Sequence, residues 1–254
     1  MSIDISNDLS GKTALVTGAS SGLGERFARV FAAAGATVII AARRVDRLEA
    51  LQKLITDEGG TAHAMALDVN ELDKISGFYD ALAEQGLLPD ILVNNAGLNV
   101  VKPATDYTVE DYNTVMGTNV TAPFFLSTEL AKRHIQAGSE ARIINIASVG
   151  GYTVLPGNTA YTVSKSAIMM MTRGHAREWA RYGINVNAIC PGYVETEIND
   201  FWWETEGGQK QIKSFPRRRL ADKSDLDGTL LLLAGPLGKG MTGTSITVDD
   251  GQYI

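Results

Sequence analysis

Short β-branched runs alternate with longer runs of helical period along nearly the whole 254-residue chain, and this alternation constrains the fold most. Strands are predicted at 13–17, 37–41, 64–69, 91–93, 142–147, 185–189 and 245–248. Helices are predicted at 25–34, 47–57, 72–84, 109–135 and 161–181, with Gly35 as the stop of the first. Alternation of this kind gives parallel strands joined by right-handed crossovers, with helices on both faces. The expected fold is therefore α/β, a doubly wound and mostly seven-stranded parallel sheet. No composition break marks a linker, so residues 1–254 read as one domain. The irregular stretch is 195–223, which carries Phe201, Trp202, Trp203 and Phe215. It reads as a functional loop insertion.

Between the first strand and first helix lies Thr17-Gly18-Ala19-Ser20-Ser21-Gly22-Leu23-Gly24. Glycines let the backbone turn tightly and approach a pyrophosphate, while the helix N-terminus offers N–H donors and a positive dipole. Packing of a tight strand-helix turn alone also asks for glycine. The segment from Gly18 to Gly22 matches G-x-S-x-G, a hydrolase nucleophile elbow, as well. That motif needs an acid and then a late histidine. The histidines are His63, His134 and His175, and the last two fall in predicted helices, so the hydrolase is set aside. Asp68 and Val69 end the third strand, at the edge where open α/β sheets bind ligands. A helix cap is the plain alternative for Asp68. Asn94-Asn95-Ala96-Gly97 ends the fourth strand at that edge, and an ordinary turn would use the same residues.

Tyr161 and Lys165 stand one helical turn apart, with Ser148 at the end of a strand. A phenol with a pKa of about 10 is a poor acid or base at neutral pH. An adjacent ammonium stabilises its phenolate and makes it usable. The pattern suggests protonation of a carbonyl oxygen or removal of an alcohol proton. A solvated helix face would show the same pair.

The net charge of −6 argues against nucleic acid and anionic membranes as partners. Cys190 is the single cysteine, so no intrachain disulfide forms. Met1 to Asp4 lack a basic start and an apolar run, so no signal peptide is expected. No stretch approaches the ~20 apolar residues of a membrane span. A cytoplasmic protein with no metal site is the expectation.

Taken together, the turn at 17–24, Asp68, Asn94 to Gly97, Asn119, Ser148, Tyr161-x-x-x-Lys165, and Pro191-Gly192 with Thr196 resemble the classical short-chain dehydrogenase/reductase family. The resemblance implies a Rossmann-type fold and catalytic roles for Asn119, Ser148, Tyr161 and Lys165. Tyr161 would donate the proton, and Ser148 would hold the substrate oxygen. Lys165 would bind the nicotinamide ribose and lower the Tyr161 pKa, and Asn119 would anchor a water. Gly18, Ser20, Ser21, Gly22, Leu23 and Gly24 would cradle the cofactor. Asp68 and Val69 would flank the adenine, with Asn95 and Gly97 alongside. Pro191, Gly192, Val194 and Thr196 would line the nicotinamide end. Ala42 stands where NAD-preferring members carry an acid, and Arg43 where NADP-preferring members carry a base. NADP(H) is therefore expected over NAD(H), with Arg44 secondary. Asp250 departs from the family's usual Asp-Gly-Gly, and Cys190 reads as a small core residue.

The expected substrate is a small ketone or alcohol, covered by Phe201, Trp202 and Trp203, of which one or two could equally pack as core or interface, and walled by Gly150, Gly151, Tyr152 and Asn158. Arg217-Arg218-Arg219 would attract an acidic substrate or carrier, or form a solvated face. The resemblance also implies a homotetramer built on helices 109–135 and 161–181. The expected activity is an NADPH-dependent carbonyl reductase, reversible as an alcohol dehydrogenase. A 3-oxoacyl-acyl-carrier-protein reductase is the narrower alternative. A non-catalytic dinucleotide sensor is the alternative of a different class.

Overall fold

The computed structural model describes residues 6–197 and 200–254. Met1 to Asp4, and Ile198 and Asn199 of the insertion, lie outside the described residues. The strands are β1 (Thr13–Thr17), β2 (Thr37–Ala42), β3 (Thr61–Ala66), β4 (Ile91–Asn94), β5 (Ala141–Ile146), β6 (Ile184–Pro191) and β7 (Ser245–Val248). They form one seven-stranded sheet in the order β3-β2-β1-β4-β5-β6-β7. Every pairing is parallel. The order reverses between β1 and β4, and this switch point opens a crevice at the carboxyl ends of the strands. The fold is Rossmann-type α/β, as expected.

The helices are α1 (Gly22–Ala33), α2 (Val45–Asp57), α3 (Ile75–Glu84), α4 (Val109–Met116), α5 (Ala122–Ala137), α6 (Thr159–Trp179), α7 (Asp200–Trp203), α8 (Glu206–Ser214) and α9 (Asp227–Ala234). Both sheet faces are covered, which explains the near-continuous apolar strands. The period of two divides them. Val16, Val38, Ile40, Val93 and Ile144 pack with Phe27 and Phe31 of α1 on one face. Leu15, Ile39, Leu92 and Ile143 pack with Tyr79, Leu126 and Trp179 on the other.

Four differences from the expected elements bear on the site. The first helix begins at Gly22, so the glycine turn runs straight into its N-terminus. The third strand stops at Ala66 because its partner β2 ends at Ala42, and Leu67 N–H makes the last bond to Ala42 O at 3.0 Å. Asp68 and Val69 thus lie on the loop beyond it. The single helix expected over 109–135 is α4, a π-helical turn at Gly117–Thr121, and α5. Gly117 and the β-branched Thr118, Val120 and Thr121 are weak helix formers, and Pro123 supplies no N–H. The stretch 195–223 is less irregular than expected, since it contains α7 and α8. Among the described residues no helix is long and apolar enough to cross a membrane.

Candidate active site

A cleft of ≈ 480 Å³ lies along the carboxyl edge of the sheet. At its floor the glycine turn meets the β4 edge. Gly18 has φ +64°, and a Cβ there would come within 2.8 Å of Ala96 Cα. Only glycine combines that backbone with that contact. Thr17 Oγ1 accepts from Asn95 N–H at 3.0 Å and Ala96 N–H at 3.1 Å, and Asn95 Nδ2 donates to Thr17 O at 2.9 Å. The Asn95 amide therefore ties the two loops together, although the residue does line the cleft.

Gly18, Ser20, Ser21, Gly22, Leu23, Asp68, Val69, Gly97, Pro191, Gly192, Val194 and Thr196 also line it. Gly24 does not; it packs beneath the turn, where a Cβ would strike Gly18 O. Asn119 is likewise absent from the lining.

Ser148, Tyr161 and Lys165 meet at one end of the cleft. Ser148 follows β5 with extended backbone, and its Oγ accepts from Gly150 N–H at 3.0 Å. The Ser148 side chain also acts on the Tyr161 phenol, favouring its ionised form. Tyr161 lies in the first turn of α6, because the helix begins at Thr159. Lys165 lies one turn on. Its Nζ donates to Ile146 O at 2.8 Å and is 5.4 Å from the Tyr161 ring centroid.

Burial raises the Tyr161 pKa, opposed by Ser148. Burial also brings the Lys165 ammonium down to about 8. The expected lowering of the phenol by Lys165 is thus not what governs Tyr161 here. Burial dominates, and the ammonium is bonded to the Ile146 carbonyl.

Asn119 lies in the π turn and is 2% exposed. Its Oδ1 accepts from Leu98 N–H at 2.9 Å, and its Nδ2 donates to Leu98 O at 2.9 Å and Ser164 Oγ at 3.0 Å. Ser164 Oγ in turn donates to Tyr161 O at 2.6 Å. The Asn119 side chain braces the β4 loop against the first turn of α6.

The other end of the cleft is basic. Arg43 is exposed, and its guanidinium has no bonded partner among the described residues. Arg44, just before α2, folds back over the glycine turn. Its Nε and Nη2 donate to Ser20 Oγ at 3.1 and 3.0 Å, and Nη2 also reaches Ser21 Oγ at 2.8 Å. Its Nη1 pairs with Glu197 Oε2 at 3.0 Å, and Arg47 pairs with the other Glu197 oxygen. Hydrogen bonds from Arg47 and Arg44 hold the Glu197 carboxyl down at about 2. Sequence reasoning ranked Arg44 below Arg43 and missed Glu197. The position of Arg44 at a helix start beside Ser20 and Ser21 was a usable signal. A lone acid in an insertion gave none.

The aromatic insertion divides. Phe201 and Trp202 are exposed, whereas Trp203 and Phe215 are buried and pack on Tyr193 at centroid distances of 5.6 and 5.1 Å. Arg217 and Arg219 pair with Asp250 at 3.0 and 2.8 Å, so they form no free basic patch. Asp250 holds φ +58° in the place of the expected glycine. Cys190 is fully buried, with its Sγ 3.7 Å from Tyr152 Oη. His134 is bonded to Ser139 and Pro89, and His175 is stacked on Trp179 at 4.1 Å, so neither is placed as a hydrolase base.

The lining fits a nicotinamide dinucleotide. Its glycine turn packs closely at Gly18, it is cationic at one end, and it carries the Ser148 and Tyr161 hydroxyls at the other.

A family profile described as short chain dehydrogenase matches residues 12–207. Gluconate 5-dehydrogenase of Gluconobacter oxydans is 34% identical, over 97% of this chain and 96% of its own length. The 2-dehydro-3-deoxy-D-gluconate 5-dehydrogenase of Escherichia coli is 38% identical, over 96% of each chain. A crystal structure of gluconate 5-dehydrogenase from Burkholderia cenocepacia, in complex with NADP and tartrate, superposes with a TM-score of 0.92 at 32% identity. That match covers 97% of this chain and 96% of the neighbour. The fold, the matched profile and these relatives agree: the chain belongs to the short-chain dehydrogenase/reductase family of nicotinamide-dependent oxidoreductases acting on CH–OH groups.

Proposed function

We propose that this protein interconverts a secondary alcohol and a ketone on a small polyhydroxylated substrate, with NADP(H) preferred over NAD(H). One observation carries the chemistry. Ser148, Tyr161 and Lys165 line the same end of the cleft, with Ser148 acting on the Tyr161 phenol, while Arg43, a guanidinium without a partner among the described residues, stands at the other.

The bound nicotinamide supplies the hydride for reduction and accepts it for oxidation. Gly18, Ser20, Ser21, Gly22 and Leu23 would hold the pyrophosphate, with Gly24 packed beneath them. Asp68 and Val69 would flank the adenine, and Pro191, Gly192, Val194 and Thr196 would meet the nicotinamide. Ser148 fixes the substrate oxygen by a hydrogen bond, and Tyr161 gives that oxygen its proton. Lys165 would hold the nicotinamide ribose, while Ser148 counters the burial that raises the phenol. Asn119 keeps the first turn of α6, and so Tyr161, in register with the β4 loop.

The substrate class rests on two supports. The relatives are named for gluconate and 2-dehydro-3-deoxy-D-gluconate. Asn99, two residues beyond Gly97, donates to Asn158, three before Tyr161, at 2.6 Å. Its own Oδ1 is buried without a partner, so a substrate hydroxyl would satisfy it. Two of the three arginines that would serve the acyl-carrier alternative, Arg217 and Arg219, are paired with Asp250. The chain would work as one domain and as a homotetramer, with the exposed Phe124, Phe125 and Met170 of α5 and α6 in the contact.

The test is cofactor absorbance with NADPH and NADH against keto-sugar acids, simple ketones and 3-oxoacyl thioesters. Gluconate and tetritols serve in the reverse direction. A higher kcat/KM with NADH overturns the cofactor assignment, and preference for thioesters overturns the substrate class. Tight dinucleotide binding without turnover on any of them leaves the sensor.

A further inference from the structure

Glu197 belongs to the segment that leaves β6 for α7, yet its carboxylate bonds to the far wall of the cleft. One oxygen is 3.0 Å from Arg44 Nη1, and the other meets Arg47 at the start of α2. Ser21 of the glycine turn bonds the same Arg44 guanidinium at 2.8 Å. The three side chains are about half exposed, at 42% for Arg44, 44% for Arg47 and 50% for Glu197. Nothing in the core fixes this contact; charge does. A neighbouring Arg43 remains without a partner among the described residues. Arg44 therefore holds an acid of this chain at the end of the cleft where the cofactor assignment places a 2′-phosphate. A phosphate offers a guanidinium more charge than a carboxylate, with the same forked geometry.

We infer that Glu197 sets cofactor selectivity by occupying Arg44 in place of a 2′-phosphate, so that a 2′-phosphorylated dinucleotide must displace it and one with a free 2′-hydroxyl need not. The inference rests on the proposed cofactor assignment, in which Arg43 and Arg44 face the 2′ position. It adds that the selectivity is held back by an internal competitor. It also links that position to the segment leading into α7, because displacement unties Glu197 from α2.

Dissociation constants for NADPH and NADH, read by cofactor fluorescence without substrate, test it on the full chain. Glu197→Gln keeps the size of the side chain and removes its charge. NADPH is expected to bind about three- to tenfold tighter to E197Q, the range for losing exposed charge pairs, and NADH to stay within about twofold. A second readout is amide hydrogen exchange of residues 193–197 with 2′,5′-ADP or 5′-ADP bound. The 2′-phosphorylated probe is expected to speed exchange in the wild type and to leave E197Q unchanged. Equal tightening of both cofactors, or none, overturns the inference, as does exchange that ignores the 2′-phosphate. Arg43→Gln separates the layers. If it weakens NADPH while E197Q is neutral, only the competition falls. If Arg43→Gln leaves NADPH binding untouched, the cofactor assignment beneath it falls.

Discussion

At one end of the cleft Tyr161, Lys165 and Asn119 are held by buried hydrogen bonds to backbone and to each other's neighbours. At the other end Arg44, Arg47 and Glu197 are held by exposed ion pairs, with Arg43 left without a partner among the described residues. Buried polar networks are costly to break, because each lost partner strands a desolvated group. Exposed pairs contribute little and are screened by salt. The reacting end is therefore fixed before any ligand arrives, and the recognition end can exchange partners.

The largest expected effect lies at the fixed end. Tyr161→Phe should lower kcat by about 10²–10⁴ while leaving the NADPH dissociation constant nearly unchanged. A kcat within tenfold of wild type would remove Tyr161 as the proton donor. Next, Asn119→Leu strips Leu98 N–H, Leu98 O and Ser164 of their partners. It should cost about 2–4 kcal/mol in urea unfolding, far more than any charge removed from the other end. A cost under about 0.5 kcal/mol would show that the brace is dispensable.

Lys165 gives a pH signature of the same burial. Folding lowers its pKa from 10.5 to about 8. Between those values the unfolded chain holds a proton that the folded chain has lost, so stability rises with pH. Relative to Lys165→Met, the wild type should gain up to about 3 kcal/mol between pH 8 and 10.5. A flat difference across that window would place the ammonium in water. The smallest effect belongs to the exposed end. Arg43→Ala should weaken NADPH binding about fivefold and NADH hardly at all, and raised salt should erode the same preference. Equal losses for both cofactors would show that the guanidinium does not read the 2′ position.

What was legible in the sequence follows the same division. The strands showed because both faces are buried and their residues are continuously apolar. Gly18 and the Tyr161 to Lys165 spacing showed because one turn of backbone determines each. The role of Asn95 was only half legible, since its amide bonds to Thr17 across 78 residues. Glu197 was invisible because its partners lie about 150 residues earlier. Asp250 looked like a departure from a pattern until Arg217 and Arg219 were found against it. That contact also accounts for a charge run that composition could not assign.

The π turn at Gly117–Thr121 has a consequence for anyone editing this chain. A widened turn holds one residue more than an α-turn, so the helical phase of α4 does not carry over to α5. Regularising that turn at constant length would rotate everything on one side of it by about 100°. Leu126 and Leu130, now in the core, would swing toward the side, and Asn119 would leave Leu98. A substitution that straightened this segment without shortening it should therefore act like a change of reading frame in three dimensions, with the length intact and the register lost.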